Sequence, residues 1–199
     1  VPMSSHQLKF YDQIRKKELE NASINKISYP MTRMVTLYSY PDVIMADTLQ
    51  HKSICETDQS SIPDRLDSSV TWLNSDFLKT LETQGPKLES LIVSNWPNKQ
   101  IISTRFNHRY GVDLIVSFLQ LLTQNKKNPY ELNEIFHVSC TDNYDATINE
   151  HHKFNDAESG ILVSNIVPLI PLKGVSIVHV ADSYSFLTLK MIIDRCHKR

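Results

Sequence analysis

His137, Ser139 and Cys140 stand close together and run into Asp142 and Asp145. A thiolate there could attack phosphorus, provided that its pKa were low and a cation held the substrate oxygens. An arginine six residues after the cysteine would be that cation, but the position holds Ala146. Asp142 and Asp145 would repel a phosphate and disfavour the thiolate, so His137 reads as a strand residue and Cys140 as an ordinary thiol. His151 and His152, beside Glu150 and Asp156, offer imidazole and carboxylate ligands for a metal. Adjacent side chains point apart, and no H-E-x-x-H or Cys/His spacing accompanies them, so a solvated loop is expected. Trp72 and Trp96 could stack on bases, although beside turns they read as core covers or partner anchors. Basic side chains gather as Arg105, His108 and Arg109, as Lys126 and Lys127, and as His197, Lys198 and Arg199, where local phosphate contacts are conceivable.

The whole chain gives those patches little help. It has 199 residues with 21 basic and 22 acidic side chains, a net charge of -1, so long-range attraction to nucleic acid or anionic membrane is not expected. Its cysteines, Cys55, Cys140 and Cys196, form no C-x-x-C pair and suit a reducing compartment. No apolar run approaches the roughly 18 residues of a membrane span, and residues 1–10 lack the apolar core of a signal peptide, so a soluble intracellular protein is expected. Val1-Pro2 ahead of Met3 reads as a remnant before a piece of a longer protein. Glycine occurs only at positions 85, 111, 160 and 174, so neither a G-x-G-x-x-G fingerprint nor a P-loop can be written.

The elements that must position these groups are legible in outline. An N-terminal helical appendage over 1–28 precedes one domain over 29–199, with a helix predicted from Leu8 to Leu19. Val35 to Tyr38 reads as a strand, Pro41 to Leu49 as a helix and 53–69 as a polar insertion. Leu88–Ser94 and Gln100–Phe106, joined by Asn-Trp-Pro-Asn-Lys, read as a β-hairpin. Leu114, Phe118, Leu121 and Leu122 mark an amphipathic helix that ends near Pro129. Ile135–Ser139 and Val175–Val180 read as strands, each followed by helical patterning, with Ile161 to Val167 between them. Asp182 or Ser183 caps a last helix bearing Phe186, Leu189, Ile192 and Ile193, and Arg195, Lys198 and Arg199 suit its C-terminal end. The fold class is α/β, a mixed sheet flanked by helices.

Several stretches resemble the nuclease domain of the XPF family. Thr32 to Leu37 with Pro41 to Leu49 resembles its opening strand and helix. Leu91 to Ser94 and Gln100 to Phe106 resemble its hairpin, which in active members carries G-D early and E-R-K late, with an aspartate on the next helix. Ile161 to Leu172, Gly174 to Val180 and Ala181-Asp182-Ser183 before Phe186, Leu187 and Ile192 resemble its closing helix, strand, turn and helix. The resemblance implies a restriction-endonuclease-like fold with a broken active site. Thr104 stands where the glutamate would be and Phe106 where the lysine would be; Arg105 alone of that triplet remains. Glu89 and Asp113 are displaced counterparts of the two aspartates.

Carboxylates without the glutamate and lysine would not hold a competent Mg²⁺ or Mn²⁺, so no catalysis, metal or cofactor is expected. By resemblance, the chain is expected to pair with a partner similar to the non-catalytic XPF partner. Together they would bind branched DNA in the nucleus, on chromosomes, promoting meiotic crossovers and synapsis. Phe186, Leu187, Ile192 and Ile193 are the candidate partner face, and Arg105, Arg109, Lys126 and Lys127 the candidate DNA contacts. Two alternatives stay open: a metal-dependent structure-specific endonuclease using Glu89 and Asp113, and an interaction scaffold without DNA contact.

Overall fold

The computed structural model describes residues 2–21, 78–79, 85–93, 98–104, 111–127, 130–181 and 186–196. The chain divides into two compact units, 1–93 and 94–199. The sequence-predicted strand at 35–38, helix at 41–49 and insertion at 53–69 lie outside the described residues.

In the first unit, helix α1 spans Ser5–Asn21. Ser4 caps its start: the Ser4 hydroxyl accepts from the Gln7 amide at 3.0 Å, and the Ser4 carbonyl accepts from the Leu8 amide at 2.8 Å. Phe10 and Ile14, one turn apart, are buried. Helix α2 spans Pro86–Val93. This corrects the expected hairpin, whose first arm was to run over Leu88–Ser94. Pro86 is set for the first helical position, where its missing amide has no partner to lose. Leu88, Leu91 and Ile92 recur at helical spacing, and that period outweighs the β-branched Ile92-Val93 pair.

The second unit is built on a four-stranded sheet of order β2-β3-β1-β4. Its strands are β1, Lys99–Ser103; β2, Ile135–Val138; β3, Gly160–Ser164; and β4, Ile177–Val180. Every pairing is parallel, with Ile101 opposite Leu162 and Val178, and Phe136 opposite Leu162. The architecture is therefore α/β with a parallel sheet, and the expected mixed sheet is corrected. A second correction concerns Ile161 to Val167, expected as helical patterning. Ile161, Leu162 and Val163 are fully buried strand residues, because a central parallel strand is covered on both faces and reads as a continuous apolar run.

Helix α3 spans Val112–Gln124, with Leu114, Ile115, Phe118, Leu119 and Leu122 buried. Helix α4 spans Tyr144–Asp156 and α5 spans Phe186–Cys196. Steps β1 to β2 and β2 to β3 cross the sheet in opposite directions, so right-handed crossovers put α3 and α4 on opposite faces. On the α4 face, Ile101, Phe136, Val138, Leu162, Leu172, Phe154, Ile192 and Cys196 form one cluster. Phe136 and Phe154 meet edge to face, 5.6 Å between centroids.

Local chemistry fixes the ends. Asn143 caps α4, its Oδ1 accepting from the Ala146 amide at 2.7 Å. Helix α3 closes with the Lys127 amide on the Leu122 carbonyl at 2.8 Å and the Lys126 amide on the Thr123 carbonyl at 3.0 Å. That is a Schellman pattern with Lys126, φ 54°, where glycine is usual. At the base of the sheet, Lys99 donates to the Asn155 carbonyl at 2.9 Å and lies 5.2 Å from the Phe154 ring centre, pinning the end of α4 to β1. Burial pushes the Lys99 pKa below its ordinary value, against the attraction of Asp156.

Candidate functional site

In open parallel sheets, ligands settle beyond the carboxyl ends of the strands, where crossovers diverge. Here that rim is made of small polar residues: Ser103 and Thr104 after β1, Ser139 to Asp142 after β2, and Ser164 and Asn165 after β3. Their groups are turned on each other. The Ser139 amide donates to Asp142 Oδ2 at 2.6 Å, and the Ser139 carbonyl accepts from the Asp142 amide at 3.0 Å. The Cys140 amide donates to Asn165 Oδ1 at 2.9 Å. The Ser164 hydroxyl closes on Ile166 in both directions, donating to its carbonyl at 2.9 Å and accepting from its amide at 3.1 Å. The Thr104 amide reaches the Ser164 carbonyl at 2.9 Å. Among the described residues of this rim there is no lysine or arginine to hold a phosphate.

Thr104 is fully buried at the end of β1, and Asp113 is half-buried in the first turn of α3, at the same end of the sheet. Glu89 belongs to α2, in the other unit. Arg105, Phe106, His108 and Arg109 lie outside the described residues, as do Trp72, Trp96, Asp182, Ser183 and His197 to Arg199. Lys126 and Lys127 are exposed just past the C-terminal end of α3, opposite the rim, because α3 returns antiparallel to the strands.

The histidines and thiols differ from the sequence expectation in one important respect. His137 is an exposed residue of β2, and Cys140 is exposed in the turn before α4. His151 is not in a solvated loop: it lies on the inner face of α4 with no exposed surface. Thr147, His151 and Phe154 recur at four and three residues, which turns His151 inward and leaves His152 exposed. Burial pushes the His151 pKa down. His179 on β4 is likewise pushed down by burial, and its Nε2 donates to Gln100 Oε1 at 2.6 Å. Burial pushes the Cys196 thiol up to about 11, the opposite of what a nucleophile needs. Among the described residues, no three His, Cys, Asp or Glu side chains gather as a metal site, and no helix is long and apolar enough to cross a membrane.

The outer face of α5 is the second candidate surface. Phe186 is 83% exposed and Leu187 66%, with Met191 exposed one turn on. Ile192 turns the other way, into the core cluster, and Ile193 is half-buried. Of the four residues expected on a partner face, Phe186 and Leu187 are thus free to meet one, whereas Ile192 is occupied by the sheet. Met191 was missed, although its place four residues after Leu187 was the available signal. The polar rim was missed because locating it requires β3 as a strand.

No family model and no curated protein matches this sequence. Among solved structures, the chain is similar to the crystal structure of the C-terminal part of the Fun30 ATPase domain. That likeness has a TM-score of 0.56 at 16% identity and covers 98% of this chain and 77% of that chain. At this identity it speaks to the fold alone.

Proposed function

We propose that this chain is a non-catalytic α/β domain that works by binding: the outer face of α5 seats a protein partner, and DNA is held in that partner's company. One observation carries it. Helix α5 leaves a phenylalanine, a leucine and a methionine together in solvent, and exposed apolar residues grouped on one element mark interaction surfaces. The rim where a parallel sheet does chemistry supports the same reading, since its described hydroxyls and amides are engaged with one another. The finer form of the proposal is a heterodimer with a partner similar to the non-catalytic XPF partner, on branched DNA of meiotic recombination in the nucleus. It rests on the sequence resemblance and the apolar α5; the helical α2 and the parallel sheet are not features that resemblance led one to expect.

The test is co-expression with an XPF-type non-catalytic partner, followed by binding of the purified material to a four-way junction at about 50 and about 200 mM salt. A stoichiometric complex with salt-sensitive junction binding is expected. A stable monomer that ignores both partner and junction would overturn the proposal.

A further inference from the structure

Helix α4 is held to the sheet by few apolar groups. Its buried residues are Thr147, His151 and Phe154, so Phe154 is its one fully buried large apolar side chain, against the long apolar stripe of α3. His151 has no exposed surface, and neither Nδ1 nor Nε2 has a hydrogen-bond partner. A neutral imidazole tolerates such a place poorly, and an imidazolium much worse.

The surroundings offer a charge no help. On the face that α4 covers, β2 and β3 present Phe136, Val138, Leu162 and Ser164, none of them titratable. β1 presents Lys99, a like charge, beside Phe154 one turn toward the helix end. α5 brings the Cys196 thiol to the same cluster. The connection after β3 brings Lys173, whose amide donates to Asn155 Oδ1 at 2.8 Å. On α4 itself Glu150 attracts a proton to His151 and His152 repels it, both more weakly than burial acts.

We propose that α4 is an acid-sensitive latch: protonation of His151 releases this helix from the sheet while β1 and β3 stay paired. Opening lets the imidazole take a proton from solvent at its ordinary pKa of 6.5, and closing must expel it. Between about pH 7 and about pH 5 the opening constant of α4 therefore rises by up to roughly 25-fold. Local opening of this kind belongs to elements with few buried apolar contacts. The inference is independent of the function proposed above.

Amide hydrogen exchange of the full chain, corrected for intrinsic rates, reads the latch directly. Amides of α4 are expected to exchange through an opening smaller in free energy and in urea dependence than the global unfolding that exposes β1 and β3, and that smaller opening is expected to become more favourable as pH falls. His151→Leu and His151→Gln, neither of which titrates, are each expected to flatten the α4 profile, so the test survives if one of them folds poorly. The proton resonance on His151 Cε1 is expected to stay at its neutral position while α4 is closed. Exchange of α4 only through the same global unfolding that exposes β1 and β3, a pH response of the α4 opening that persists in the folded variants, or a His151 resonance titrating near 6.5 in the closed chain would overturn the proposal.

Discussion

Gly160→Ala tests the base of the parallel sheet most severely. Gly160 opens β3 at φ 144°, a conformation that L side chains rarely adopt, and a Cβ there would lie 2.7 Å from the Glu134 carbonyl oxygen and 2.8 Å from Phe136 Cε2. The carbonyl cannot rotate away, because it belongs to the 3-10 turn Leu132–Glu134 that leads into β2. The Phe136 ring is held edge to face against Phe154. Backbone strain of about 1–3 kcal/mol and a forced shift of a packed core of about 1–3 kcal/mol give a loss of roughly 2–4 kcal/mol after partial relaxation. Gly174 is the internal control. It has φ 70°, but its added Cβ would meet only Lys99 Cδ at 3.5 Å, an ordinary contact. Gly174→Ala should therefore lose only the left-handed penalty, roughly 1–2 kcal/mol. In equilibrium urea unfolding, with a slope of about 1–3 kcal/mol/M, the Gly160→Ala midpoint should fall by roughly 1–2 M and the Gly174→Ala midpoint by about half as much. Equal shifts for the two, or a Gly160→Ala shift within error of zero, would refute the steric reasoning.

Three further outcomes follow from single contacts. Asn143→Ala removes the side-chain cap of α4 and should lower stability by about 1 kcal/mol in the same urea assay. Lys126→Gly relieves a left-handed residue at an exposed helix end and should raise stability by roughly 1 kcal/mol. For pH, His151 and His179 both have folded pKa values below the ordinary 6.5, so unfolding takes up protons in acid. Their contribution is complete above about pH 6.5 and is lost as pH falls below it. The urea midpoint should therefore drop between about pH 7 and about pH 5, and less so in His151→Leu.

What could be read from the sequence was whatever a single period announces. The α3 stripe from Leu114 to Leu122, the β-branched runs of β2 and β4, and the amphipathic α5 stand where their patterns place them. The readings failed where two patterns competed. Leu88 to Val93 carries both β-branched residues and helical spacing, and the proline ahead of it decides for the helix. Ile161 to Val163 is too short for periodicity to separate helix from strand; its Gly160 start and two-sided burial are facts of the sheet. His151 was hidden by its neighbour, since a histidine pair in a polar run looks solvated until positions 147, 151 and 154 are counted as one helix face. The polar rim belongs to topology: Ser103, Ser139 and Ser164 are far apart in the chain and share an edge only because all the strands run the same way.

The central claim is that the outer face of α5 is a docking seat. Its most direct measurement is the affinity of the chain for a co-expressed XPF-type partner, with and without Phe186→Glu and Leu187→Glu together. Both side chains are solvated in the free chain, so the double variant should keep its circular dichroism and urea midpoint. It should nevertheless lose at least roughly 100-fold in affinity, as two anchor side chains of an interface would. Undiminished binding by the double variant, or no complex with the unaltered chain, would contradict the account.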